Sequence, residues 1–409
     1  ERITVPSVLD SPFIFGPPIK SPEHFYGREE ETAKLLQCIR RAESVSVVGE
    51  RRIGKTSFLC HLQNKIRAEW EDAHAPIPVF VDCLLRLRGE GDFFGRVIHY
   101  MTRQVPELEP VAQGSADEIA LIRCLERVAP RNLVLLVDEF EAIALKQEFS
   151  RQFFEFLRAI TQDFGVAIVA ATSIPLQQCC DLGALPFVFC NVFQHIRLGL
   201  FDEKDVAHLI HESAKRSGVS LHPWQPQIMD LSGGFPAFTQ LACQHYYEAA
   251  ISKLHLSAED HQQIRLNFEY QVEPYFAHIW NEYLNDEERE VLQNLVRGKA
   301  GEDSAVLRQL KRKGYVVDGR VFSSVFVDMF LRQKQLEPAP LSAMPQSAAG
   351  PKEAAVWLDE DGGVWVEGKL CEPPLTNYQY LLLRYLYKNA GRICDKYDIV
   401  EAVWSSDYI

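Results

Sequence analysis

The chain has 409 residues, more than one compact core usually contains, which indicates several domains. Hydrophobic residues make up 47% and charged residues 24%, as is typical of soluble globular proteins, and no apolar run reaches the roughly 18 residues of a membrane span. The formal net charge of −13 excludes a protein that coats nucleic acid with its whole surface, so any DNA contact must come from a local patch.

The first strong signal along the chain is a glycine-containing loop between a predicted strand and a predicted helix. The apolar run Ser44–Val48 precedes the loop Gly49–Thr56, and a helical pattern begins at Ser57. This order is typical of a phosphate-binding loop, in which backbone N–H groups and the positive end of a helix converge on an anion. We expect Lys55 to reach the β- and γ-phosphates and the Thr56 hydroxyl to hold Mg²⁺. The predicted nucleotide-contacting residues of the loop are Gly49, Glu50, Arg51, Arg52, Ile53, Gly54, Lys55, Thr56 and Ser57.

A second signal is a strand that ends in two acidic residues. Five consecutive apolar residues, 133–137, predict a strand buried on both faces, as in a parallel sheet. Ligands of open α/β sheets bind outside the carboxyl ends of the strands, so Asp138 and Glu139 are expected beside Lys55. Asp138 is predicted to bind Mg²⁺ together with Thr56, and Glu139 to polarise an attacking water. The predicted catalytic residues are Lys55, Asp138 and Glu139, whereas Glu141 is interpreted as an acid at a helix N-terminus.

A third predicted strand, Val166–Ala171, ends at Thr172. In ATPases with a phosphate-binding loop of this kind, a polar residue at the end of this strand commonly senses the γ-phosphate. A plain strand cap is the alternative interpretation of Thr172. The runs Val79–Asp82 and His195–Leu198 complete a set of five strands that alternate with helical segments. This alternation predicts an α/β fold with a doubly wound parallel sheet.

The next segment has a helical pattern. Asp202 is the expected N-cap of a helix that runs to Ile210, and apolar residues recur at helical spacing through Ala237–Tyr247. We interpret residues 201–276 as a helical lid over a nucleotide-binding core formed by residues 1–200.

Residues 277–335 predict a helix, a second helix and a hairpin. Asn285 begins a capping pattern, Ala305–Gly314 reads as the second helix, and Tyr315–Phe322 has an Asp-Gly turn between two short strands. This order is that of a winged helix, a small α+β domain. The basic triplet Lys311–Lys313 either touches DNA or complements the helix dipole.

The last part of the chain predicts a linker and another small domain. Residues 336–352 are rich in Pro, Ala and Ser, as flexible linkers are. Residues 353–409 then show two predicted strands within Val356–Leu370, followed by amphipathic patterns over Leu375–Arg392 and Asp395–Trp404.

Several of these segments together resemble one protein family. Pro12–Ile19, Phe25–Glu30, the loop with its two arginines, Leu135–Ile143 and Gly233–Pro236 are similar to the bacterial AAA-like signal-transduction ATPases with numerous domains, called STAND ATPases. The resemblance covers residues 1–335 with the landmarks in order. It implies a P-loop NTPase core of the ASCE/AAA-like class with a helical lid and a winged helix that mainly docks on the ATPase.

The resemblance also implies roles for residues outside the phosphate loop. Tyr26, Gly27 and Arg28 match the box that packs against the base and ribose, and Pro236 matches the lid proline that touches adenine. An ordinary loop before a helix is the alternative for Pro236. The two loop arginines contact phosphate or a neighbouring domain in relatives, or are solvated surface charges. An arginine finger from a neighbouring subunit is expected but not located.

The C-terminal pattern resembles a second family. The order of strands and helices, with Leu375–Leu383, Gly391–Cys394 and Glu401–Trp404, is similar to the DNA-binding domain of OmpR-type response regulators. The recognition helix of that family would begin just after Ile409, so the predicted domain is incomplete. Either the parent protein continues beyond this chain, or the domain is an interaction module that does not read DNA.

Taken together, the sequence predicts a cytoplasmic, nucleotide-switched regulator. We expect it to bind ATP or ADP with Mg²⁺, to hydrolyse ATP slowly, to self-associate, and to present its C-terminal winged helix to double-stranded DNA. One alternative is a defence or mobile-element ATPase that assembles on a ligand or nucleic acid and binds a protein partner through its C-terminal domain. Another is a structural nucleotide-binding module with negligible turnover, which the pair Asp138 and Glu139 argues against.

Overall fold

The computed structural model describes the chain in two compact units, Glu1–Gln335 and Leu336–Ile409. The described residues of the first unit are 11–70, 74–84, 87–111, 114, 116–183, 185–253, 255–299 and 304–332. Those of the second unit are 356–358, 364–366, 369–370, 383 and 385–387. No helix in these ranges is both long and apolar enough to cross a membrane.

A five-stranded parallel sheet forms the centre of the first unit, as predicted. Its strands, in chain order, are β1 (Ser44–Val48), β2 (Ile77–Asp82), β3 (Leu133–Asp138), β4 (Ala167–Thr172) and β5 (Phe193–Arg197). Their spatial order is β2-β3-β4-β1-β5, and every neighbouring pair is parallel. All residues of β1, β3 and β4 are buried, because helices cover both faces of the sheet.

Helices pack on both faces of this sheet. They are α1 (Glu29–Arg40), α2 (Lys55–Glu69), α3 (Glu90–Gln104), α4 (Glu118–Val128), α5 (Glu141–Ala144), α6 (Arg151–Asp163), α7 (Leu176–Leu182) and α8 (Phe187–Cys190). Successive side chains of each strand point to opposite faces, so the strands feed two separate apolar cores. Val134 and Leu136 lie in the core that also contains residues of α1 and α2. Leu133 and Leu135 lie in the core that contains residues of α3, α4 and α6.

Four helices follow the sheet: α9 (Glu203–Ser217), α10 (Gln225–Ser232), α11 (Pro236–Ser252) and α12 (Ala258–His278). The Asp202 side chain caps α9 as predicted, accepting hydrogen bonds from the backbone N–H groups of Lys204 and Asp205 at 2.8 Å each. Pro236 lies in the first turn of α11, where its missing N–H is not needed. A π-helical turn, Ile279–Tyr283, extends the end of α12.

A further group of elements follows, which we call the hairpin module and define as the described residues between 284 and 332. It contains α13 (Asp286–Val296), α14 (Ala305–Lys313), the antiparallel strands β6 (Val316–Val317) and β7 (Arg320–Val321), and α15 (Ser324–Phe326). The side chain of Asn285 caps α13 in a reciprocal pair with Glu288. Asp318 and Gly319 both have positive φ, of 48° and 75°, as the tight turn between two hairpin strands requires.

The hairpin module packs on the helices that follow the sheet. The ring of Phe322 lies 5.1 Å from that of Phe235 and 5.7 Å from that of Phe276, measured between centroids. Phe322 and Tyr315 belong to the same continuous apolar core as Val45 of β1. The module and one face of the sheet therefore share a single core.

In the second unit, three short antiparallel strands are described. They are β8 (Val356–Leu358), β9 (Val364–Val366) and β10 (Lys369–Leu370), in the spatial order β10-β9-β8. They fall inside the Val356–Leu370 stretch that was predicted to form strands. The predicted linker, 336–352, and nearly all of the two predicted C-terminal helices lie outside the described residues. The winged-helix interpretation of both small domains therefore stays a prediction.

Candidate functional site

The phosphate-binding loop connects β1 to α2 at the carboxyl edge of the sheet. Gly54 has φ of 93°, a left-handed conformation that favours glycine. A Cβ on Gly49 would lie 2.8 Å from Cγ2 of Ile53 and 3.2 Å from the carbonyl oxygen of Leu198. Both glycines are therefore required by the path of the backbone.

The Lys55 side chain is folded back over this loop. It is buried, and its Nζ donates hydrogen bonds to the carbonyl oxygens of Gly49 at 3.0 Å and Glu50 at 3.4 Å. Lys55 is also the first residue of α2, so its ammonium group lies near the positive end of the helix dipole. Backbone N–H groups and a cation thus converge at a place suited to an anionic ligand.

Behind the loop, a hydroxyl and a carboxylate meet. Thr56 donates a hydrogen bond from Oγ1 to Oδ2 of Asp138 at 2.7 Å. The other oxygen of Asp138, Oδ1, is buried and has no hydrogen-bond partner among the described residues. Burial raises the pKa of this carboxyl group, and the hydrogen bond from Thr56 and the charge of Lys55 oppose that rise. A hydroxyl beside a carboxylate with an unpartnered oxygen is a donor set that fits Mg²⁺.

The next residue, Glu139, lies at the entrance of the site. Its φ is 50°, an uncommon conformation for a residue with a side chain. Burial raises its pKa, the neighbouring charge of Glu141 raises it further, and Lys55 lowers it. Glu139 is half-buried and lines the cavity described below, so its carboxylate is accessible to a bound molecule.

Glu141 has a role that the sequence did not indicate. It is the first residue of α5, as interpreted, but its carboxylate also accepts hydrogen bonds from the backbone N–H and the hydroxyl of Ser173. It therefore fastens the segment after β4 to the segment after β3. Thr172, the last residue of β4, is fully buried, and its hydroxyl has no partner among the described residues.

A cavity of about 240 Å³ opens between the loop, the N-terminal segment and α11. Its walls include Ile14 and Pro18 from the N-terminal segment and Gln240 from α11. Eleven predicted site residues line it: Tyr26, Arg28, Arg51, Arg52, Ile53, Gly54, Lys55, Thr56, Ser57, Glu139 and Pro236. Five do not line it: Gly27, Gly49, Glu50, Asp138 and Thr172. The two strand-end residues among these five are buried behind the loop, and the two glycines are covered by neighbouring atoms.

The N-terminal box joins the loop to α9. Arg28 is buried in a left-handed conformation, donates hydrogen bonds to the carbonyl oxygens of Ile53 and Gly199, and lies 5.2 Å from the ring centroid of Phe201. Tyr26 donates a hydrogen bond to the carbonyl oxygen of Glu23 and is stacked by the guanidinium of Arg216 at 5.5 Å. A Cβ on Gly27 would lie 2.9 Å from Oδ1 of Asp205. The box therefore closes one side of the cavity.

The two loop arginines have different environments. Arg52 donates hydrogen bonds to the carbonyl oxygen of Gly16 at 3.0 Å and to the hydroxyl of Tyr275 at 2.9 Å, and its guanidinium stacks on the Tyr275 ring at 4.5 Å. It thus contacts α12 and the N-terminal segment. Arg51 is exposed, and its charge lowers the pKa of Glu139.

Glu50 makes a contact that no sequence pattern indicated. Its side chain is buried in the loop and accepts a hydrogen bond from the phenol of Tyr315, in the hairpin module, at 3.1 Å. The guanidinium of Arg197 lies 3.8 Å from its other oxygen. Burial raises the pKa of Glu50, and burial likewise raises the pKa of Tyr315 well above its usual range. The phosphate-binding loop and the hairpin module are therefore directly bonded.

Comparison with protein families gives one match over most of this unit. The model of the family described as Novel STAND NTPase 2 matches residues 40–301, which is more than half of the chain. This range includes the phosphate-binding loop, the sheet and the four helices after it. No curated protein sequence is significantly similar to the chain.

Comparison with solved structures indicates the same fold. The Walker-type ATPase of Pyrococcus abyssi is 12% identical, covers 76% of this chain and 97% of its own, and superposes with a TM-score of 0.52. The ORC2 protein of Aeropyrum pernix, in complexes with ADPNP and ADP, is 12% identical, covers 82% of this chain and 98% of its own, and has a TM-score of 0.50. At this identity the likeness establishes the P-loop NTPase fold and nothing finer.

Proposed function

Because the chain belongs to the Novel STAND NTPase 2 family, we propose that this NTPase is an ATP-dependent molecular switch that hydrolyses ATP slowly in the presence of Mg²⁺. In this proposal, bound nucleotide selects between two arrangements of the domains. The arrangement controls self-association and the presentation of the C-terminal domain to double-stranded DNA in the cytoplasm. The main support for a switch is the hydrogen bond between Tyr315 of the hairpin module and Glu50 of the phosphate-binding loop, which connects the module to the proposed nucleotide site.

ATP fits the chemistry of the cavity. The phosphates would lie on the loop, where Lys55 would exchange its bonds to the Gly49 and Glu50 carbonyls for bonds to phosphate oxygens. The base would lie between Pro236 and the residues Tyr26 and Arg28 of the N-terminal box, which line the same cavity. The complexes of the Aeropyrum pernix ORC2 protein with ADPNP and ADP support an adenine nucleotide for this fold.

The proposed reaction is hydrolysis of the bond between the β- and γ-phosphates. Glu139 takes a proton from the attacking water, whose oxygen bonds to the γ-phosphorus as the bond to the β-phosphate oxygen breaks, giving ADP and phosphate. Mg²⁺, which Thr56 and Asp138 would hold, neutralises phosphate charge when bound. Thr172, directly behind the loop, is the proposed sensor of the γ-phosphate.

We propose slow turnover because no arginine among the described residues that line the cavity is both free and held in position to stabilise the charge of the transition state from within this chain. Arg28 is bonded to backbone carbonyls and Arg52 to Gly16 and Tyr275, which leaves the exposed Arg51. Neither Arg158 on α6 nor Arg197 on β5 lines the cavity. In P-loop NTPases, an arginine supplied by a partner raises turnover by about 10³–10⁵-fold, so a second subunit is the proposed activator.

The hydrolysis step is tested with Glu139→Gln, with Glu107→Gln as an exposed control of the same chemistry. We expect Glu139→Gln to bind ATP as the unmodified protein does and to lose about 10²–10⁴-fold in turnover, because it removes the general base. Hydrolysis at the unmodified rate in Glu139→Gln would refute the assignment.

The regulatory step is tested by DNA-binding measurements. Binding to double-stranded DNA is measured with ADP and with a non-hydrolysable ATP analogue, and Lys55→Ala serves as the nucleotide-free control. Binding that differs between the two nucleotides and is uniform in Lys55→Ala is the expected result. Absence of DNA binding in both states would remove the DNA part of the proposal and leave the ATPase part standing.

A further inference from the structure

A second cavity lies outside the nucleotide site, between the C-terminal halves of α2 and α3. We call it the basic groove and define it by its lining residues, which include Lys20, Arg67 and Arg103. Its volume is about 520 Å³, and β2, at the edge of the sheet, contributes Phe80 to its floor. Among the residues that the structure describes, no carboxylate lines the groove, although the whole chain carries a net charge of −13.

The three cations of the groove have no ion-pair partner within the described part of the chain. Lys20, Arg67 and Arg103 are all exposed. By contrast, the exposed Arg40, nearby on α1, pairs with Glu69 of α2 at 3.3 Å. Three unpaired cations facing one concavity produce a positive potential there, which attracts an anion with several charges.

The groove is held together by amide side chains. Gln63 of α2 and Gln104 of α3 both donate hydrogen bonds to the carbonyl oxygen of Pro78 on β2, at 3.3 and 3.0 Å. Asn64 of α2 donates to the carbonyl oxygen of Lys20 at 2.9 Å. These bonds fix α2, α3, β2 and the N-terminal segment relative to one another, so the backbone segments that carry the three cations are held together before any ligand arrives.

An aromatic side chain supplies a further contact surface. Tyr100 lies on α3 in the wall of the groove, and 39% of its surface is exposed. Phe80 on the floor is half-buried. Cations that follow a phosphate backbone, together with an aromatic ring on which a base stacks, are the recurring elements of single-strand binding sites. An acidic polypeptide would use the cations but has no need of the ring.

We propose that the basic groove binds the backbone of a single-stranded nucleic acid, with phosphates on Lys20, Arg67 and Arg103 and a base stacked on Tyr100. All of the described residues that line the groove belong to the first unit, and none of them lines the nucleotide cavity. The groove adjoins that cavity through the N-terminal segment, because Gly16 and Ile19 line the nucleotide cavity while Lys20 lines the groove.

The proposal is tested by fluorescence anisotropy of the full chain with a labelled oligothymidylate of about 20 nucleotides, over a series of salt concentrations. The test variant is Arg67→Ala/Arg103→Ala. Neither side chain makes a hydrogen bond or an ion pair with any of the described residues, so the fold is expected to persist. The control is Lys65→Ala/Lys204→Ala, which removes the same charge from exposed positions outside the groove.

The unmodified chain and the control are expected to bind oligothymidylate alike. Arg67→Ala/Arg103→Ala should bind about tenfold or more weakly, and its slope of log affinity against log salt should fall by about 1.4, because each phosphate contact to a single strand contributes about 0.7. Tyr100→Ala should weaken binding by about tenfold without changing that slope, since stacking is not ionic.

Three results would overturn the proposal. One is no binding by the unmodified chain. Another is an equal loss of affinity in the test and control double variants, which would show that only the net charge of the protein matters. The third is a pair of results: polyglutamate competes as well as unlabelled oligothymidylate does, and Tyr100→Ala binds with unchanged affinity. Together they would assign the groove to an acidic polypeptide. ATP hydrolysis is measured in the same variants and should be unchanged in each of them. A negative result for the groove can then be told apart from a negative result for the proposed ATPase switch.

Discussion

At the scale of single residues, the carboxylates at the end of β3 have different environments although they are adjacent. Asp138 is buried and bonded to Thr56, whereas Glu139 is turned into the cavity by its left-handed backbone. This difference suits Asp138 to its proposed metal-binding role and Glu139 to its proposed proton-accepting role. It also makes the titration of Glu139 a test of the mechanism.

A general base acts only after it has lost its proton. Burial and the charge of Glu141 raise the pKa of Glu139 above the ordinary value of 4.5, so turnover should rise with pH through a limb that lies above that value and fall as the pH drops below it. The measurement is the pH dependence of kcat/KM for ATP, which reports the ionisation of the free enzyme. Glu141→Gln removes one of the causes of the rise and should move the limb to lower pH. A limb at or below the ordinary value in the unmodified protein would contradict the role of Glu139.

At the scale of elements, the junction between α10 and α11 has no room for side chains. Gly233 has φ of 62°, and a Cβ on it would lie 2.4 Å from the carbonyl oxygen of Phe322 in the hairpin module. Gly218, at the end of α9, has a similar φ of 71° but open space around it. A side chain at Gly218 would therefore meet only backbone strain, whereas one at Gly233 would meet the same strain and also clash with the hairpin module.

We expect Gly218→Ala to lower the free energy of unfolding by about 1 kcal/mol, the cost of a left-handed alanine. Gly233→Ala carries the same strain and in addition displaces the module, so its loss should be larger by about 2 kcal/mol or more. Urea unfolding of both variants measures the difference. Equal losses would mean that the module does not pack on Gly233 in solution.

The bond between Tyr315 and Glu50 is a second test of the same interface. Tyr315→Phe keeps the ring and removes the hydroxyl, which leaves a buried oxygen of Glu50 without this donor. The expected loss in free energy of unfolding is about 1–3 kcal/mol. Tyr270→Phe, on α12 with 69% of its side chain exposed, is the control and should cost nothing measurable. A Tyr315→Phe variant as stable as the control would contradict the contact.

At the scale of the whole molecule, nucleotide should stabilise the first unit by mass action. At ATP concentrations of about 100 times Kd, the free energy of unfolding should rise by about 2.7 kcal/mol, and the melting temperature should rise with it. Lys55→Ala should abolish the increase, because it removes the ammonium group that is proposed to bind the phosphates. Thermal unfolding with and without ATP gives the measurement, and an equal increase in Lys55→Ala would place the bound nucleotide elsewhere.

The nucleotide loop and the sheet could be predicted from sequence because their determinants are local. Gly49, Lys55 and Thr56 lie within eight consecutive residues, and the buried strands are continuous apolar runs. The contact from Glu50 to Tyr315 joins residues 265 positions apart, and that from Arg52 to Tyr275 joins residues 223 apart. No periodicity or spacing encodes such pairs, since each depends on how finished elements pack. The basic groove escaped prediction for the same reason, because its cations come from three separate segments.

The sheet divides the first unit into two apolar cores, and only one of them includes the hairpin module. The core that contains residues of α3, α4 and α6 has no member from the module. Departure of the module would therefore leave that face intact, and amide protons of β3 held between the cores would keep much of their protection from exchange with solvent. The sheet would remain folded in both positions of the switch.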